Sequence, residues 1–209
     1  MFQGAFKKLE FEQIAILLDY INPLLDGSGF DAVETTIMAL DLDFYPDYSF
    51  LDITETGSLP IKRRFAVCKS AHSKVPTDFT ILNWTNEPIY KMNEEIPIQL
   101  NEANVLEYVR FFFGYVRGKH GRFIITENVD DIHWKEDPPP QARKAISKML
   151  IPLAAPEIQN GNYILKTTMM FRDSLFQADL EVKPSGLVIL SNEQLLVEDM
   201  PVLDDVFGQ

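Results

Sequence analysis

The chain has 209 residues, with 19 Lys and Arg against 31 Asp and Glu, a formal charge of −12. Hydrophobic residues make up 46% and charged residues 24%, enough apolar surface to offset chain entropy, which excludes disorder as the main state. No run approaches the roughly 20 uninterrupted apolar residues of a membrane helix, and the single cysteine, Cys68, excludes an internal disulfide framework and every multi-cysteine zinc pattern.

Leu9 to Leu25 reads as the first helix. Ile14, Leu17, Leu18 and Ile21 repeat at three- and four-residue steps, and Glu10, Glu12 and Asp19 decorate the other side. Pro23 and the run Asp26-Gly27-Ser28-Gly29 end it. Asp31-Ala32-Val33-Glu34 predicts the start of a helix running to about Leu40, after which Asp41 to Pro46 is irregular and aromatic. From Ile61 the period changes to two. Phe65, Val67 and Lys69 fall on one face of a strand, with Arg64, Ala66 and Cys68 on the other. Phe79 to Trp84 predicts a second strand. The turn Thr85-Asn86-Glu87-Pro88 leads to a short third one at Ile89 to Met92.

Asn101 to Val116 is the clearest helix. Asn101 is a good N-cap, and Asn104 stands where a capping box has Glu or Gln. Val105, Leu106, Val109, Phe112, Phe113 and Val116 form an apolar stripe that Tyr108 and Phe111 widen, which predicts the most buried helix of the chain. Gly118 is its expected stop. Arg122 to Glu127 reads as a strand, 128–140 as a loop ending in three prolines, and Gln141 to Leu150 as a short helix. Tyr163 to Phe171, Leu175 to Lys183 and Leu187 to Leu190 then predict three antiparallel strands, and the acidic last ten residues are expected to fray.

These elements predict an α+β fold, with no alternation of the kind that builds a parallel nucleotide-binding sheet. The expected architecture is an antiparallel sheet, with strands from about 61–92, 122–127 and 163–190, packed against a central apolar helix 101–116, with an N-terminal helix 9–25. The expectation is a single domain, 1–209, in which any subdivision falls in the 128–140 loop.

Five groups of residues bear on chemistry or binding. Glu127, Asp130, Asp131 and His133 lie within seven residues, but they share one loop and match no metal signature, so the expectation is a turn capped by Asp130 or Asp131 and no metal site. Asp41, Asp43, Asp47 and Asp52 fail as a calcium loop, because Tyr45 and Pro46 stand where an oxygen ligand and a glycine belong. Cys68 lies near Arg64, Lys69 and His72, which suits a lowered thiol pKa, but its apolar strand neighbours predict a packed, inert thiol. Arg117-Gly118-Lys119-His120-Gly121-Arg122 packs basic groups and glycines between a helix and a strand. It makes Arg117, Lys119, His120 and Arg122 the candidate ligand-binding residues for an anion. Against that, the helix C-terminus repels anions and is itself stabilised by bases. Phe44, Tyr45, Tyr48 and Phe50 form an aromatic cluster read as core packing.

No motif for nucleotide, metal, acyl or redox chemistry is present, and no cofactor is expected. The leading expectation is a cytoplasmic binding or interaction module for a protein partner or small ligand. An N-terminus whose acids at Glu10 and Glu12 break any signal-peptide core points to that compartment. The alternative is a hydrolase-like enzyme, with His120 or His133 working with a carboxylate such as Glu127. A further alternative binds anions or nucleic acid through Lys62, Arg63, Arg64, Lys69 and Lys74 with the 117–122 segment. The overall charge of −12 makes nucleic acid an unfavourable partner.

Overall fold

Among the described residues the strands pair antiparallel and four α-helices accompany them, so the class is α+β. The computed structural model describes residues 5–27, 29–69, 76–118 and 121–203. Those residues divide into two compact units, 5–83 with 87–99, and 84–86 with 100–203.

In the first unit, strands β1 (Lys7–Lys8), β2 (Thr35–Asp41), β3 (Tyr48–Glu55), β4 (Lys62–Lys69) and β5 (Thr77–Leu82) form one sheet in that order. Helix α1 (Phe11–Ile21) begins with a reciprocal cap between Glu10 and Gln13 and runs into a 3-10 turn at Asn22–Leu24. Its residues Ile14, Leu17, Leu18 and Ile21 pack with Ile37, Ala39, Leu51, Ile53, Ala66 and Cys68 from one face of the sheet. The alternation Phe65/Val67 against Ala66/Cys68 holds as the spacing predicts.

Two segments of this unit adopt a structure other than the expected one, and strand β3 is not among those expected. The helix expected over 31–40 is strand β2. Asp31 does accept the N–H groups of Val33 and Glu34, but this closes a turn rather than starting a helix. The β-branched Thr35-Thr36-Ile37 then favour the sheet, where Ile37 faces Ile53. The strand expected at 89–92 is part of helix α2 (Glu87–Glu95). Ile89 and Met92 are its buried positions, three residues apart, and Pro88 sits in its first turn, where a missing N–H costs nothing.

In the second unit, α3 (Val105–Tyr115) buries seven of its eleven residues. The Asn101–Asn104 pair bonds reciprocally, each backbone N–H donating to the other's Oδ1 at 2.8 and 3.2 Å, but it does so in the turn before the helix, whose N-cap is Asn104 and not the expected Asn101. The helix ends at Tyr115, before Gly118. Strands β6 (Phe123–Ile125), β7 (Glu157–Gln159), β8 (Asn162–Phe171), β9 (Ser174–Val182) and β10 (Val188–Val197) form the second sheet, in the order β10-β9-β8-β6 with β7 also on β8. The strands expected from 61–92 and from 122–190 thus lie in separate sheets. The Tyr108 hydroxyl donates to the Gly186 carbonyl at 2.6 Å, tying α3 to the β9–β10 turn. Helix α4 (Pro140–Ser147) starts directly on the prolines, and its Ile146 packs with Val129, Ile132, Met170, Leu175, Met200 and Val202. Residues 200–203, expected to fray, are instead held: Met200 N–H donates to Asp173 and Leu203 N–H to His133.

Candidate functional site

The described ends of the basic segment after α3 come together. Gly118 and Gly121 form an antiparallel bridge, and Gly121 N–H donates to the Gly118 carbonyl at 3.2 Å. Gly121 has φ +146, and a Cβ there would meet the Phe171 ring at 3.0 Å, so the position needs glycine. Arg117 lays its guanidinium over the Trp84 ring, 4.1 Å from the centroid, and its N–H donates to the Trp84 carbonyl. Arg122 donates from Nε to the Phe113 carbonyl at 3.4 Å, which satisfies an open carbonyl of the last turn of α3. The two arginines are therefore directed to different local partners. Lys119 and His120 lie outside the described residues, as do His72 and Lys74.

The acidic loop is organised around other bonds. Asp131 Oδ2 accepts the N–H groups of Glu127 and Asn128 at 2.9 and 2.8 Å, the turn cap that its spacing predicts. Asp130 pairs with Arg143 of α4. Glu127 takes a two-pronged bond from Arg110, Nε to Oε2 at 2.9 Å and Nη2 to Oε1 at 2.8 Å, while Arg110 Nη1 reaches Glu107 at 2.7 Å. Arg110 is nearly buried, and the hydrogen bond from its guanidinium holds the Glu127 carboxyl below the usual carboxylate range despite the burial. His133 is exposed on the loop.

Cys68 is fully buried, and burial pushes its thiol up to about 12. On β4, Arg63 pairs with Asp52 at 2.6 Å and Lys62 with Glu55 at 2.9 Å, so two of the basic candidates are matched inside the sheet. Phe44, Tyr45, Tyr48 and Phe50 are core residues. Tyr45 bonds Asn93, and Phe50 stacks on Phe65 at 5.7 Å.

One surface escaped the sequence reading. Beside its core-facing stripe, α1 carries a second row of Ile16, Tyr20 and, in the following 3-10 turn, Leu24, all between 38 and 53% exposed. Their four-residue spacing makes a ridge about 12 Å long at 1.5 Å per residue. The Tyr20 ring lies parallel to Phe79 of β5 at 6.0 Å, which extends the ridge onto the sheet. The signal was present as a second apolar row at i, i+4 and i+8, on the side where Glu12 and Asp19 suggest a solvated face.

No protein-family model, curated protein or solved structure matches this chain.

Proposed function

We propose that the chain is a protein-binding module whose partner docks on the outer ridge of α1. The observation that carries this reading is the helix's second apolar row. A helix needs one apolar stripe to pack on its sheet, and α1 has one in Ile14, Leu17, Leu18 and Ile21. Ile16, Tyr20 and Leu24 add a row of apolar side chains that stay 38 to 53% exposed, with Tyr20 resting on Phe79 at one edge. Clustered exposed apolar side chains are the usual mark of a contact surface, and tyrosine is among the residues that dominate such contacts. The enzyme alternative is less favoured, because Glu127, the carboxylate it would pair with a histidine, is held by two bonds from Arg110.

A photo-crosslinking residue placed at Tyr20 of the full chain, in the cells that make it, tests the reading. The expected result is one discrete heterologous adduct, absent when the same residue replaces the exposed Glu193 of β10. No adduct, or the same adducts from both positions, overturns it.

A further inference from the structure

Charge around the ridge of α1 narrows what can sit on it. Glu12 and Asp19 stand beside Ile16, four residues before it and three after, which on a helix makes them its surface neighbours. Both are exposed, and neither has an ion-pair partner among the described residues. Residues 1–59 hold two lysines, Lys7 and Lys8, against eleven acids, so α1 lies in the most acidic third of the chain. Arg64, on the same face of the sheet as Ala66 and Cys68, directs Nη1 to the Arg63 carbonyl of its own strand. The ridge is therefore an apolar strip with carboxylates along its flank.

We propose that the occupant is a cationic amphipathic helix of a partner protein, an inference that rests on the docking reading above. Its apolar side chains would cover Ile16, Tyr20 and Leu24, and Lys or Arg on its flank would meet Glu12 and Asp19. Two helical turns of such a partner match the length of the ridge, and rows at four-residue spacing pack against one another in the commonest helix pairing. A second copy of this chain would bring Glu12 and Asp19 against like charge. Nucleic acid and anionic lipid surfaces would meet the same repulsion.

Three 18-residue helical peptides that share a leucine face, with Lys, Gln or Glu on the flanks, serve as probes in calorimetric titrations of the full chain. The Lys peptide binds the wild type, more weakly as salt rises, and the Glu peptide does not. Glu12→Gln/Asp19→Asn weakens the Lys peptide about tenfold, the size two rim charge pairs supply at low salt. Ile16→Ala/Tyr20→Ala abolishes its binding. Circular dichroism shows all variants folded, because the substituted side chains are exposed. Equal binding of Lys and Gln peptides, lost in Ile16→Ala/Tyr20→Ala, overturns the cationic partner and leaves the docking reading standing. Binding indifferent to Ile16→Ala/Tyr20→Ala overturns both. Phosphatidylcholine vesicles that capture the chain, or a dimer in sedimentation equilibrium, each lost on Tyr20→Ala, would replace the partner helix by a membrane or by a second copy.

Discussion

Arg110 is the one arginine buried in α3, among Tyr108, Val109, Phe111 and Phe112. A guanidinium taken out of water costs several kcal/mol unless good geometry compensates it. Here Glu127 supplies two bonds and Glu107 a third, and the pairing joins α3 to Glu127, two residues after β6. Removing one partner leaves the other charge buried, so Arg110→Ala should lose about 3–5 kcal/mol. The pH dependence follows from the lowered Glu127 pKa. A depressed folded-state pKa contributes stability that is fully present above the unfolded carboxyl value of about 4.3. That stability is lost as pH falls through the lower folded value. Urea unfolding at a series of pH values should therefore show a stability gap between wild type and Glu127→Gln that is constant near neutrality. The gap should shrink in the acid range, below about pH 4.3. A gap that does not change with pH would mean that Glu127 acts through shape alone. Glu55 behaves alike: the Asp31 N–H first, and the Lys62 ammonium after it, hold its carboxyl low.

At the scale of elements, α3 tests how far an apolar stripe predicts burial. Phe112 is 5% exposed, and emptying a large core site costs about 3–5 kcal/mol, so Phe112→Ala should fall in that range by urea unfolding. A loss below about 1 kcal/mol would place the side chain at a surface. This helix and the 3.6-residue row of α1 were legible in the sequence because each is a long periodic run, and the strands β4, β8 and β9 were legible as apolar segments bounded by turn residues. The Asn101–Asn104 bonding was legible because it is local, though not which asparagine caps the helix. Shorter runs misled. Ile89 and Met92 suit either period, and only their burial three residues apart in α2 decides between them. Thr35 to Leu40 follows an aspartate whose side chain closes a turn, and that local pattern resembles a helix start although the β-branched residues after it favour a strand. Strand β3 was hidden because it is buried on both faces over Tyr48–Leu51, so it lacks the polar alternation that marks a half-exposed strand. The candidate site fared similarly. The turn at Gly118 and Gly121 and the cap at Asp131 were readable. Arg117 on Trp84 was not, because it joins residues 33 apart. The α1 ridge was readable in spacing but masked by the acids beside it.

The whole molecule sets the terms on which any anion approaches. Its charge of −12 opposes phosphate and nucleic acid at a distance, and only a concentrated local site could reverse that. The partition of strands into two sheets is a property of this scale too, fixed by pairings that no local period encodes. The segment 117–122 is the strongest local concentration of positive groups, yet Arg117 lies on an aromatic face and Arg122 on the carbonyl end of α3. Both arrangements draw the guanidinium groups back onto the fold, and the helix C-terminus adds partial negative charge where an anion would sit. The expected outcome is that phosphate, titrated at fixed ionic strength, leaves the melting temperature of the wild type unchanged. Arg117→Gln and Arg122→Gln should each cost a few tenths to about 1 kcal/mol, as lost helix-end and cation–aromatic contacts, with no dependence on phosphate. Ligand that binds only the folded state must raise the melting point by mass action. A phosphate-dependent rise in the wild type, absent from Arg117→Gln/Arg122→Gln and steeper at lower ionic strength, would therefore make this turn an anion site. It would also show that a local field of a few charges prevails over the repulsion of the whole chain.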